Sequence, residues 1–284
     1  FYDEIIDLDV LASQTKEVLE GGSDEVIAEL LALNGSSAGA RPKALIGVDK
    51  ERKNISYGAH QLSDGFEPWM VKFPNSQDGN DSGAIEYVYA LMAKEAGIAM
   101  PNVHLFSSQK GNGYFAVKRF DREGNERLHM HTVSGLIHSN FRFPSLDYED
   151  LLSLTSYLTK DIREVEKMFR LAVFNVMAHN QDDHAKNFSF LMNELGEWKL
   201  SPAYDLTFSN GPGGEQSTMV LGEGRNITVK HLSKLGEEAQ LSKEFIENVI
   251  EQTLSALGKW QSLSKKYGVS DVNMQLISKT ISKF

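Results

Sequence analysis

Short alternating runs of apolar and polar residues dominate the first part of the chain, and apolar residues at helical spacing dominate the second. The residues before about Ser36 read as helices, one of them with Ile27, Leu30, Leu31 and Leu33 on its apolar face before Asn34-Gly35 breaks it. Pro68-Trp69-Met70-Val71-Lys72-Phe73-Pro74 and Tyr114-Phe115-Ala116-Val117-Lys118-Arg119-Phe120 read as strands. Between them, Ser82 to Gly97 places Ile85, Val88, Met92, Ala93 and Ala96 on one stripe and supplies Gly97 as a stop. After about Gly124 the period becomes mainly helical, with Asp147 opening one helix, a long stretch from Asp161 to Met177, and closing helices from Ser242 to Leu257 and from Asp271 onward. Strand-like pieces Phe188 to Met192 and Trp198 to Leu200 flank a turn at Asn193 to Glu197, which predicts a hairpin. The pattern predicts an α+β protein with a mixed first part and a mainly helical second part. It shows no internal repeat.

Composition narrows the function classes. The chain of 284 residues has no cysteine, which excludes disulfides and thiolate metal sites and fits a reducing compartment. No apolar run reaches the ~20 residues that span a bilayer, and nothing at the start reads as a signal peptide. The formal net charge of −10 opposes broad binding of nucleic-acid phosphates.

The candidate chemistry lies in Asn180-Gln181-Asp182-Asp183-His184-Ala185-Lys186-Asn187 and in Ser201-Pro202-Ala203-Tyr204-Asp205. An Asp, an Asn five positions on and a later Asp can build a phosphoryl-transfer site: one carboxylate accepts the acceptor hydroxyl's proton, and the other two side chains offer hard oxygens to Mg²⁺. Asp-rich loops also arise as turns and caps. Upstream, Asn34 to Lys43 is rich in small residues and carries Arg41 and Lys43, a composition that suits either a phosphate loop or a plain turn. Neither Gly-x-x-x-x-Gly-Lys-Ser/Thr nor Gly-x-Gly-x-x-Gly occurs there. Lys72 reads as a strand lysine facing a polar site or solvent, with Glu86 a candidate partner. Phe120 reads as an adenine-facing ring or as core. Gly211-Pro212-Gly213-Gly214 sits where a kinase has its activation segment, or forms a surface turn. Eight histidines raise a metal enzyme as a rival, but no His-Glu-x-x-His pattern is present. His129 and His131 read as structural strand neighbours, and His184 as a residue steadying the loop or touching nucleotide.

Taken together, Ser-x-Ala-Gly-Ala-x-x-Lys at 36–43, Val-Lys-Phe-Pro at 71–74, Lys-Arg-Phe-Asp-Arg at 118–122, Asn-x-Asp-Asp-His-x-Lys-Asn-Phe-Ser at 180–189 and Pro-Ala-Tyr-Asp-Leu at 202–206 resemble the HipA-type serine/threonine kinases, toxins of bacterial HipBA toxin–antitoxin modules. The resemblance implies a two-lobed protein-kinase-like fold, with a small mixed N-lobe over residues 1–123 and a helical C-lobe over residues 124–284. It implies ATP and Mg²⁺ as cofactors and Asp182 as the catalytic residue, with Asn187 and Asp205 as metal ligands. Nucleotide contacts are implied at Ala38, Gly39, Ala40, Arg41, Pro42 and Lys43, at Lys72, at Lys118, Arg119 and Phe120, and at His184, Ala185, Lys186, Asn187, Tyr204 and Asp205. Ser36, or Ser37 beside it, falls where the family autophosphorylates, an event that would add charge and disfavour nucleotide binding.

The resemblance further implies a cytoplasmic enzyme that phosphorylates an aminoacyl-tRNA synthetase and is held by a HipB-like helix-turn-helix antitoxin, with DNA contacted only through that partner and no membrane involvement. Full-length members begin with an extra subdomain that has no counterpart here, so the expectation is that it was trimmed, processed away or is encoded as a separate protein. Two other readings use the same residues: a pseudokinase-like binding module, and a kinase of small molecules or lipids. The intact Asp–Asn–Asp–Lys set favours turnover over the first. The acceptor is not fixed by the fold.

Overall fold

The computed structural model describes residues 7–19, 41–57, 62–74, 79–109, 111–123, 126–137 and 146–284. The helix expected over Ile27 to Leu33, the serines Ser36 and Ser37 and the loop residues Ala38 to Ala40 lie outside the described residues. The chain divides into two compact units, residues 1–87, 101–127 and 267–269, and residues 88–100, 128–266 and 270–284.

The first unit is built on a five-stranded antiparallel sheet in the order β2-β1-β3-β5-β4. Its strands are β1 (Lys43–Asp49), β2 (Ile55–Tyr57), β3 (Phe66–Lys72), β4 (Val103–Phe106) and β5 (Tyr114–Lys118). Alternation along β1 sends Ala44, Ile46 and Val48 inward, and they join Trp69, Val71, Phe73, Phe106, Tyr114 and Ala116 in one apolar cluster. Helix α1 (Leu8–Leu19) covers this cluster with Leu8 and Leu11. One carboxylate fixes that helix to the sheet: Asp9 accepts from Tyr114 Oη at 2.7 Å, Ser108 Oγ at 2.8 Å and the Gln109 amide at 3.0 Å. A short ribbon, β6 (Arg122–Glu123) with β7 (Glu126–Arg127), follows. The predicted strands are present with shifted ends. β3 starts at Phe66 and stops at Lys72, and β5 stops at Lys118.

Helix α2 (Ser82–Glu95) begins in the first unit and continues in the second from Val88. Gly97 ends it as the sequence suggests: at φ +77° it lets the Ile98 amide reach back to the Ala93 carbonyl at 2.9 Å, a left-handed closure that a side chain would strain. The second unit is organised around α5 (Ile162–Met177), capped by Asp161 and buried on nearly every side through Val165, Met168, Phe169, Ala172, Val173, Phe174 and Met177. Around it stand α4 (Tyr148–Thr159), opened by an Asp147–Asp150 capping box, and α6 (Val229–Glu238), α7 (Lys243–Leu257), α8 (Trp260–Lys266) and α9 (Asp271–Ile281), with the one-turn α3 (Val133–Leu136) before them. Tyr89 ties the end of α2 to the end of α5: its hydroxyl donates to the Ala178 carbonyl at 2.6 Å, and its ring meets Phe174 and Trp260 edge-on.

A small antiparallel sheet, β11-β10-β8, frames the loop that follows α5. β10 (Ser189–Met192) pairs with β11 (Trp198–Leu200) through the predicted hairpin, Phe190 opposite Leu200, and on its other side with β8 (His129–Thr132). His129 and His131 thus lie on β8, and the His129 ring packs edge-on against Trp198. A parallel pair of β9 (Leu146–Asp147) with β12 (Thr218–Met219) completes the strands. No helix among the described residues is long and apolar enough to cross a membrane.

Candidate active site

The loop after α5 carries two of the three predicted residues, Asp182 and Asn187, on a short scaffold. Its entry is strained: His179 sits at φ +55°, its ring stacked on Phe208 and its Nε2 3.0 Å from Asn210 Oδ1. A left-handed backbone at a non-glycine residue persists only where surrounding contacts hold it. They do so here, because the Ser209 amide bonds the His179 carbonyl and the Gln181 amide bonds the Ser209 carbonyl at 3.1 Å.

Asp182 projects outward with its side chain 58% exposed, and its amide donates to Ser209 Oγ at 3.1 Å. A 3₁₀ turn over Ala185–Asn187 returns the chain so that Asn187 Nδ2 donates to the Asp182 carbonyl at 2.7 Å. That bond commits the amide nitrogen of Asn187 and turns its oxygen into the atom available to a cation. His184 Nε2 stands 3.8 Å from Asp182 Oδ1. Partial desolvation and the negative Asp205 push the Asp182 carboxyl above the ordinary carboxylate range, while His184 pulls it down. A carboxylate raised in this way is a better proton acceptor than a free one.

Asp205 is reached from β11 through Ser201-Pro202-Ala203-Tyr204, and it too is exposed with a left-handed backbone, φ +59°. Tyr204 fastens the stretch by donating to the Lys186 carbonyl at 2.8 Å, with Ser189 Oγ 2.5 Å away, and burial pushes its hydroxyl up to about 12. The Asp182 and Asp205 carboxylates and the Asn187 side-chain oxygen are the candidate donors, and the negative charge of Asp205 bears on Asp182. This donor set fits Mg²⁺, a hard cation that takes carboxylate and amide oxygens and keeps remaining positions for water and phosphate. Among the described residues no group of three or more His, Cys, Asp or Glu is arranged to hold a metal, so a cation here would lean on the amide and on substrate oxygens. Ala185 is buried and Lys186 exposed in the same turn.

In the first unit, Lys72 at the end of β3 is buried and donates to Glu86 Oε1 at 2.5 Å, with Glu86 only 2% exposed. The expected pair therefore forms, and Glu86 also takes Arg41 at 3.3 Å. Lys43 opens β1 directly opposite Lys72, and buried Pro42 accepts the Phe73 amide at 2.8 Å. Three cations thus gather at one end of the sheet, a composition suited to phosphate oxygens. The segment 118–120 is more committed: Lys118 Nζ pairs with Glu67 at 2.7 Å, Arg119 makes a two-pronged pair with Asp121 at 2.8 and 2.6 Å, and the Lys118 and Arg119 amides donate to the Asn102 and Pro68 carbonyls. Phe120 is half-buried.

One residue of the loop was passed over in the sequence. Asp183 is fully buried and accepts from Tyr148, Gln216 and the Thr218 amide, and burial pushes its carboxyl up to about 7 against the pull of those donors. Two adjacent aspartates were the signal, since a loop with one exposed working carboxylate has a second use for its neighbour. Gly211, in the Gly/Pro stretch, abuts this loop: its amide meets Gln181 Oε1 at 3.1 Å, and a methyl group on it would lie 2.7 Å from the Gln181 carbonyl oxygen.

Residues 35–260 match the family described as HipA-like C-terminal domain. The chain belongs to that family. Among named relatives it is 26% identical over 191 residues to "Putative kinase Y4dM" and 27% identical over 247 residues to "Putative kinase Y4mE", both from Sinorhizobium fredii (strain NBRC 101917 / NGR234). Those matches cover 62% and 79% of this chain but 44% and 56% of the relatives, so the chain spans about half the length of the curated relatives it matches. Among solved structures, the HipA, HipB and operator DNA complex of Shewanella oneidensis MR-1 aligns with a TM-score of 0.65 at 16% identity, over 99% of this chain and 70% of that one. The Helicobacter pylori proinflammatory kinase CtkA aligns at a TM-score of 0.56 and 14% identity, over 78% and 87%. The fold of this HipA-like domain is accordingly α+β and protein-kinase-like.

Proposed function

We propose that the domain is an ATP- and Mg²⁺-dependent serine/threonine protein kinase, the toxin of a HipBA-type module, with residues 1–123 as its N-lobe and 124–284 as its C-lobe. The observation that carries the proposal is the loop on which the exposed Asp182 side chain stands 3.8 Å from His184 Nε2, with the Asn187 side chain bonded to the Asp182 carbonyl.

Asp182 holds the acceptor serine or threonine hydroxyl and takes its proton as that oxygen bonds to the γ-phosphorus. The bond from the γ-phosphorus to the bridging oxygen breaks, and ADP leaves with that electron pair. Asn187 and Asp205 are the residues to hold Mg²⁺, which when bound neutralises phosphate charge. Lys72, kept extended by Glu86, binds phosphate oxygens, as do Arg41, Pro42 and Lys43 with Ala38, Gly39 and Ala40. Lys118, Arg119 and Phe120 form the adenine-side segment, and His184, Ala185, Lys186 and Tyr204 complete the nucleotide contacts. With two amides of the adenine segment already bonded, its contribution rests on carbonyl groups and the Phe120 ring.

The proposed acceptor is an aminoacyl-tRNA synthetase, and Ser36 or Ser37 the site of self-modification. The proposed partner is a HipB-like antitoxin, which would carry the DNA contact, in the cytoplasm. The Shewanella assembly of HipA with HipB and operator DNA supports the antitoxin reading by likeness of fold. Incubation with Mg²⁺, labelled ATP and a panel of synthetases, followed by phosphosite mapping, tests the acceptor. Label on one synthetase and on Ser36 or Ser37 is expected; label only on added small molecules or lipids would overturn the protein-kinase assignment.

A further inference from the structure

The loop contains a second carboxylate that touches neither acceptor nor cation in the proposed mechanism, and its surroundings show a use. Asp183 Oδ2 accepts from Tyr148 Oη at 2.5 Å and from Gln216 Nε2 at 2.9 Å, and Oδ1 accepts from the Thr218 amide at 3.0 Å. The Asp183 carbonyl takes the Thr218 hydroxyl. Beside these, Gln216 Nε2 donates to the Asn180 carbonyl at 2.7 Å, and Ser217 uses both its amide, at 3.0 Å, and its hydroxyl, at 2.7 Å, on the Gln181 carbonyl. The segment 216–218 is thereby bonded to Asn180, Gln181 and Asp183, on both sides of Asp182.

A chain of hydrogen bonds leads from Asp182 back to the same carboxylate. The Asp182 amide donates to Ser209 Oγ at 3.1 Å, which donates to Asn180 Oδ1 at 2.9 Å. Asn180 Nδ2 donates to Asn175 Oδ1 at 2.9 Å, Asn175 Nδ2 to Tyr148 Oη at 3.0 Å, and Tyr148 Oη to Asp183. Every donor points the same way, and the series ends on the Asp183 carboxyl, which accepts from Tyr148, Gln216 and the Thr218 amide. Bonds aligned in this manner polarise one another. Asp183, Tyr148, Asn175 and Asn180 are buried, so water does not offer a replacement for a lost link.

We propose that Asp183 is a positioning residue for Asp182: it anchors the segment 216–218 and terminates the hydrogen-bond chain that holds the Asp182 backbone, so the loop is assembled with no modification of that segment. The hydroxyls of Ser217 and Thr218 are occupied in docking, which removes them as phosphorylation switches. This rests on the kinase reading for its catalytic consequence, while the clamp itself is independent of it.

The test uses Asp183→Asn and Tyr148→Phe, the latter removing one link and leaving the Gln216 and Thr218 bonds. Steady-state transfer from Mg²⁺-ATP should show kcat lower by about 10- to 100-fold with KM for ATP within about threefold of the parent, the signature of a displaced working group. A loss that merely tracked the fraction of unfolded protein, or a kcat within twofold of the parent in both variants, would overturn the proposal. Amide hydrogen exchange of Asp183→Asn is the second arm. Protection should fall at the Asp182 and Thr218 amides and stay at α7; unchanged protection at both amides would overturn the clamp. If the parent chain transfers no phosphoryl group, the kinase reading fails, and exchange alone decides the clamp.

Discussion

Removing the Glu86 carboxylate separates two roles of the Lys72–Glu86 pair. Glu86 is 2% exposed and Lys72 9%, at 2.5 Å from each other, so neither charge is well hydrated. In Glu86→Leu the Lys72 ammonium is left buried beside an apolar side chain, a change that typically costs about 3–5 kcal/mol. Arg41, the second cation on Glu86, is 28% exposed and can turn to solvent, so its loss adds little. We expect about 3 kcal/mol, a shift of about 1 M in urea midpoint at a slope of about 3 kcal/mol/M. The double variant Lys72→Met with Glu86→Leu removes both charges together, and well-packed apolar replacements of buried pairs are often neutral. Its midpoint should return to within about 1 kcal/mol of the parent, while nucleotide-dependent transfer stays well below the parent's because one of the three phosphate-binding cations is gone. Urea unfolding of parent, singles and double gives the cycle. A double variant as unstable as the sum of its singles would refute the reasoning, since the pair would then be needed for packing rather than for holding a lysine.

Asp205→Asn keeps a residue that tolerates the left-handed backbone and removes only charge; Mg²⁺-ATP should bind at least about tenfold more weakly by calorimetry, and an unchanged isotherm would remove Asp205 as a ligand. Asp183 supplies a pH prediction: its folded-state carboxyl is raised to about 7, so the stabilisation from its extra proton is complete below the unfolded value near 4 and lost as pH rises through 7. The stability of the parent relative to Asp183→Asn should therefore decline from pH 5 to pH 8, by no more than about 3 kcal/mol, and a pH-independent difference in unfolding would contradict it.

Where contacts were local, the sequence was readable. Gly97 closes α2 through bonds to the turn just before it, and the Asn193 to Glu197 turn sets the register of the β10–β11 hairpin. The Asp182 to Asn187 spacing likewise closes on itself through one side-chain bond across five residues. Long-range partners were not legible. Nothing near Asp182 and Asp183 says which is exposed and which is sealed; Tyr148, Gln216 and Thr218, distant in the chain, decide it. Similarly, nothing near Lys118 in the chain says that Glu67 pairs with its ammonium. The family resemblance in five short blocks carried more than any block alone, because each block taken singly is also an ordinary strand or turn.

The most direct measurement of the central claim is transfer of label from γ-labelled ATP by the purified domain in Mg²⁺, with Asp182→Ala run beside it and both checked for the same unfolding midpoint. Label on protein serine or threonine is expected with the parent, and none above background with Asp182→Ala. Equal labelling by the two would contradict the assignment of Asp182 as the proton-accepting carboxylate.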